Sequence, residues 1–128
     1  MKLIALILLL LAPGAFAMDR FAALSMLESG DNDAARGPAG EVSRFQIQLA
    51  TWSRLTNAPV SQATDPKMAE AVARRLLDAR CAKFESEHDR PATDLEFYIL
   101  WNAPAQIDHP SARVLARARR FANLVGQK

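Results

Sequence analysis

The sequence predicts a mainly helical domain, and three observations carry that expectation. Apolar residues recur at helical spacing in two stretches, Met68-Val72-Leu76-Ala79 and Val114-Ala118-Phe121-Val125. Residues suited to opening or closing helices stand at the ends of these and other segments. Alternation of period two, the mark of a half-buried strand, is nearly absent. About five helices are expected, with at most a minimal β element.

Residues 1–17 read as a secretory leader. Lys2 supplies a short positive start, Leu3 to Leu11 is an unbroken apolar run, and Ala15-Phe16-Ala17 has the small-residue pattern of a cleavage site. The run falls short of the roughly 20 residues that span a bilayer, so no stable membrane anchor is expected. Residues 18–128 then form one domain, secreted or periplasmic. An internal start at Met18, giving a cytosolic protein, is the alternative.

The first helix is expected over about Asp19 to Ser29, with Gly30 as its stop. Asp31 to Gly40 is rich in Asp, Asn, Gly and Pro and reads as a loop. From Val42 to Leu55 the apolar spacing mixes periods of two and of three to four, which gives a short helix over Leu49 to Leu55 and room for a small β element before it. Asp65 suits a helix cap and Pro66 the first helical position of the third helix. Leu77 and Phe84 widen its stripe, and the polar stretch Glu85 to Pro91 ends it. Thr93-Asp94-Leu95-Glu96 is a capping box that opens a fourth helix running to about Trp101. Pro110 and Ser111 open the fifth, with Arg113, Arg117 and Arg120 on the face opposite its apolar stripe, which reads as a solvated basic surface, a role in holding an anionic polymer being the alternative.

Composition excludes several function classes. The chain has 16 Lys+Arg against 14 Asp+Glu, and Lys2 leaves with the leader, so charge provides no case for nucleic acid. Cys81 is the only cysteine and cannot form an internal disulfide; it reads as a small buried apolar residue on a helix. His88 and His109 are far apart and form no metal motif. No metal or cofactor is implied, no repeat appears, and a monomer is expected.

The residue that points to chemistry is Glu28. Phe21, Leu24, Ser25 and Glu28 share one side of the first helix, which sets a carboxyl toward the core or a cleft. Carboxylates are rarely buried without a partner. Burial and the negative end of the helix dipole both disfavour the ionised form, which suits a general acid. The bland alternative is a solvated glutamate in a last helical turn.

The residues that follow decide between these. Glu28 to Gln46 reads ESGDNDAARGPAGEVSRFQ and is followed by Ile47. Without a gap, it resembles the core motif of the lytic transglycosylase catalytic (SLT) domain of the lysozyme-like superfamily, roughly E-S-G-x-N-P-x-A-x-S-x-x-G-A-x-G-L-M-Q-I. Glu28, Ser29, Gly30, Asn32, Ala35, Gly40, Gln46 and Ile47 fall on matching positions. Tyr98-Ile99-Leu100-Trp101-Asn102-Ala103-Pro104 looks like the second family motif, A-A-Y-N-A-G-P, with Asn102-Ala103 in register. Arg119 to Leu124 resembles the closing helix. The chain departs from the pattern at Ser43-Arg44-Phe45, where the family has Gly-Leu-Met, at Glu41, where it has a small residue, at Leu49, where proline is common, and at Pro104, where it has glycine.

The resemblance implies a lysozyme-like fold of about five helices around a cleft. It implies peptidoglycan glycan strands as the partner and cleavage of the β-1,4 bond between N-acetylmuramic acid and N-acetylglucosamine, with Glu28 as single general acid and base. By the same resemblance Ser29 steadies Glu28, Gln46 and Asn102 bind sugar, and Phe45, Tyr98 and Trp101 join the substrate-binding set. Tyr98 and Trp101 would offer a flat apolar face, and at helical spacing either also reads as core. Asp31 and Asp33 read as turn residues, whereas Glu41 is the candidate second carboxylate of a water-using muramidase. A silent glycan-binding module on the same fold, favoured by Ser43-Arg44, and a helical interaction protein without enzymatic function are the remaining alternatives.

Overall fold

The computed structural model describes residues 18–126; the expected leader, residues 1–17, lies outside them. Five α-helices account for most of the described residues, and no strand is among them. They are α1 (Arg20–Ser29), α2 (Leu49–Leu55), α3 (Pro66–His88), α4 (Asp94–Asn102) and α5 (Ala112–Val125), with 3₁₀ turns over Val60–Thr64 and Pro104–Gln106. Two isolated antiparallel bridges, Arg36 with Val42 and Val42 with Ile47, are the minimal β element.

Local signals set the helix ends. The Asp19 side chain accepts from the N–H groups of Phe21 and Ala22, so it caps α1 from outside. Gly30 closes α1 in the left-handed region at φ 64°. Asp65 caps α3 and Pro66 is its first residue. In the capping box of α4, Thr93 Oγ1 accepts from Glu96 N–H, while Glu96 Oε2 accepts from Thr93 N–H. Arg90 also pairs with Glu96, and that contact holds the Glu96 carboxyl down at about 2.

Three sequence expectations are corrected on α3. The helix continues past Glu85 to His88, because only one face needs to be apolar: Phe84 is buried, His88 stacks on it at 4.0 Å, and Asp89 then stops the helix at φ 54°. Ala79 is exposed; the stripe runs instead through Ala69, Val72, Ala73, Leu76 and Leu77. Cys81 is only half-buried against the core, and burial pushes its thiol pKa up.

The core is organised around α4, whose consecutive residues Phe97, Tyr98, Ile99 and Leu100 are all buried. A helix that is apolar on every side is an interior helix. Phe97 meets Phe21 of α1 edge-on at 5.7 Å and stacks on Phe121 of α5 at 5.6 Å. Arg20 fastens the start of α4 from α1, donating to Asp94 at 2.7 Å and to the Ala92 carbonyl at 3.0 Å. No helix of the described residues is long and apolar enough to cross a membrane.

Candidate functional site

A groove of about 510 Å³ passes the C-terminal end of α1. Glu28 from α1, Glu41 and Gln46 from the loop before α2, Asn102 from the end of α4, and Arg113 and Arg117 from α5 line it. Glu28 is there because the helical phase that buries Leu24 and Ser25 carries it to the inner flank of α1, where its side chain is 13 % exposed.

The Glu28 carboxyl is held through one oxygen. Tyr98 Oη donates to Oε1 at 2.9 Å, and Arg117 Nη2 reaches the same oxygen at 3.4 Å. Arg117 Nε in turn donates to Tyr98 Oη at 2.8 Å. The phenol thus accepts from the guanidinium and passes its own proton toward the carboxyl. Burial, followed by the neighbouring Glu28, pushes the Tyr98 pKa up to about 12, which keeps it a donor across the neutral range. The hydrogen bond to Tyr98 is the main reason that the Arg117 pKa is raised. No hydrogen bond among the described residues uses Glu28 Oε2. Sequence reasoning weighed burial and the helix dipole at Glu28; the structure adds a cation and a hydroxyl donor on one of its oxygens.

Arg117 corrects the expected solvated face of α5. Three residues on from Val114, it flanks the apolar stripe instead of opposing it, and it is half-buried. Arg113 is exposed and lines the groove mouth; Arg120 is exposed.

Among the other expected site residues, Gln46, Trp101 and Asn102 line the groove with Glu28. Phe45 does not: it is 1 % exposed and packs edge-on against Phe21 at 6.4 Å. Tyr98 is fully buried, so its ring is not a sugar platform, and only its hydroxyl contributes to the site. Ser29 does not touch Glu28 within hydrogen-bonding distance. Its Oγ donates to the Arg44 carbonyl at 2.7 Å and accepts from Asn32 N–H at 3.0 Å, tying the loop to the end of α1.

Side-chain hydrogen bonds shape that loop. Asp31 accepts from the Ser25 hydroxyl at 2.6 Å, and Arg44 grips Asp33 through two nitrogens at 2.6 and 3.2 Å, so both aspartates are structural. Ser43 adopts φ 73°, the left-handed backbone that favours glycine, and is only 2 % exposed. Its hydroxyl accepts from Phe45 N–H, and its carbonyl accepts from Gln46 Nε2 at 2.9 Å. Glu41 Oε2 accepts from Ala39 N–H at 3.0 Å. Gly37 makes room for this: a Cβ there would lie 2.0 Å from Glu41 Oε2 and 2.7 Å from Gln46 Oε1.

Sequence reasoning missed Arg80, which lines the groove, and Gly37, which lies against the Glu41 and Gln46 side chains. Arg80 Nη1 donates to the Leu100 and Trp101 carbonyls at 2.7 and 3.0 Å, satisfying the last turn of α4. Nothing local announces that contact. Gly37 sits in a Gly-Pro dipeptide, a turn signal that says nothing of the side chains packed on it. Among the described residues no group of three His, Cys, Asp or Glu side chains is arranged to hold a metal ion. No family model, curated protein or solved structure matches this chain.

Proposed function

We propose that this protein is a peptidoglycan lytic transglycosylase acting outside the cytoplasm, with Glu28 as its single general acid and base. One observation carries the proposal. The Glu28 carboxyl lines a groove, fixed through Oε1 by Tyr98 and Arg117, with Gln46 and Asn102 on the same groove. The motif resemblance from Glu28 to Ile47 supplies the substrate class.

In this reading Oε2 carries the transferred proton. Protonation of the glycosidic oxygen by Glu28 breaks the bond from muramyl C1, and N-acetylglucosamine leaves as the alcohol. The positive charge at C1 is stabilised by the substrate's own N-acetyl group. Glu28, now ionised, removes the proton of the muramyl C6 hydroxyl, and O6 bonds to C1. The product is a 1,6-anhydro ring, and no water is consumed. Holding one carboxyl oxygen restrains the side chain while the other trades protons twice. Gln46 and Asn102 each combine a donor and an acceptor, as an N-acetyl group requires. Trp101, half-buried at the groove wall, presents an aromatic surface to a sugar.

Glu41 sustains a second reading, because it brings another carboxylate to the same groove. There it would activate water, and the enzyme would be a muramidase.

Mass spectrometry of purified peptidoglycan after incubation with the protein separates these. Fragments ending in 1,6-anhydromuramic acid are expected. Reducing ends would replace transglycosylation with hydrolysis and make Glu41 the next residue to change. Bound but uncut glycan would leave only a binding module.

A further inference from the structure

The groove is lined by charges of both signs. Its carboxylates, Glu28 and Glu41, come from α1 and the following loop, whereas its guanidiniums, Arg80, Arg113 and Arg117, come from α3 and α5. Only Arg117 has a carboxylate within ion-pair distance among the described residues, and that is Glu28. Arg80 is half-buried with its Nη1 on two carbonyls and no acidic partner. Burial and then the nearby Arg54 push its pKa down, the signature of a cation short of counter-charge. Arg113 is exposed, has no acidic partner among the described residues, and lies one turn before Arg117 on α5. Like charges four residues apart on a helix repel, and among the described residues the carboxylate that reaches this pair, Glu28, is within ion-pair distance of Arg117 and not of Arg113.

Resting on the glycosidic reading above, we infer that the Arg113 and Arg80 side of the groove is a subsite for a carboxylate carried on the muramyl 3-O-arm of the glycan. N-acetylglucosamine and N-acetylmuramic acid differ by that arm alone, so a guanidinium beside the groove is a means of telling the alternate sugars apart and setting which glycosidic bond reaches Glu28. The carboxylate comes either from a bare lactyl group or from an attached stem peptide. Arginine suits both, since its planar fork matches a carboxylate with two parallel hydrogen bonds.

Three ligands without a glycosidic bond test this on the wild-type protein without turnover: N-acetylglucosamine, N-acetylmuramic acid and N-acetylmuramyl dipeptide, titrated by NMR. At least one muramyl ligand is expected to bind about five- to tenfold more tightly than N-acetylglucosamine, the range for a partly exposed charge-assisted contact. The ratio should fall as salt rises. Arg113→Gln should bring it close to one, and Arg113→Lys should retain part of it. Preference for N-acetylmuramic acid over the dipeptide identifies the bare lactyl group; the reverse identifies the stem. Equal affinity for all three sugars, or a preference that survives Arg113→Gln, overturns the subsite and leaves the glycosidic reading intact. Binding of none of them overturns the subsite, and the peptidoglycan products then decide the glycosidic reading separately.

Discussion

The two walls of the groove are held by different physics. On one side α1, α4 and α5 converge on buried aromatic rings, and from that support Arg117 reaches the groove and Tyr98 reaches Glu28. On the other, residues 30–48 contain no helix and few buried side chains; Val42, Ser43, Phe45 and Ile47 are the anchors. Side-chain hydrogen bonds and left-handed residues at Gly30, Asp31, Gly40, Ser43 and Gln46 make up the remainder. Apolar burial is cooperative and non-directional, so the helical wall should fail with the whole fold. Hydrogen bonds are local and individually modest, so the loop wall should open on its own.

The largest break in this contrast is Phe97→Ala. Its ring touches both Phe21 and Phe121, and a cavity at that junction should cost about 3–5 kcal/mol, read by urea unfolding. Loss of the whole helical signal, rather than of activity alone, is the expected outcome.

Tyr98→Phe keeps the ring and removes the hydroxyl that donates to Glu28. Activity should drop while the fold persists. The phenol also gives a pH test. Its pKa is raised in the folded state, from an ordinary 10.0 to about 12, so its contribution to stability is complete below pH 10.0 and is lost as pH rises through about 12. Denaturant melts should show the wild type losing more stability across that window than Tyr98→Phe.

Ser29→Ala acts on the other wall. It removes the partner of both the Arg44 carbonyl and the Asn32 N–H, at about 1 kcal/mol. Amide exchange at Asn32 should accelerate with little change in global unfolding. A drop in activity should then track the mobility of the loop.

The smallest effect has the opposite sign. Ser43→Gly relieves a left-handed backbone worth about 1–2 kcal/mol but deletes the hydroxyl contact to Phe45 N–H. A net gain of up to about 1 kcal/mol is expected in thermal melts. A loss of stability would mean that the hydroxyl outweighs the strain.

Legibility in the sequence followed the range of each interaction. The caps at Asp65 and Thr93 and the stop at Gly30 were readable because donor and acceptor lie within a few residues. Glu28 was readable because helical phase alone sets its side of α1. Arg117 and the Tyr98 hydroxyl were not, since they lie 89 and 70 residues away from Glu28 in sequence. Phe45 and Tyr98 were assigned to the substrate from a motif, and burial in the aromatic core reassigns them. The loop was recognisable by its composition, but neither the left-handed Ser43 nor the Gly37 clearance follows from residue type.

The most direct test of the central claim compares the rate at which wild-type protein and Glu28→Gln release 1,6-anhydromuramyl fragments from purified peptidoglycan. Glutamine keeps the shape and cannot shuttle the proton. A fall of about 10²–10⁴-fold, with unchanged unfolding, is predicted for a single acid and base. Equal rates would contradict it and remove Glu28 from the chemistry.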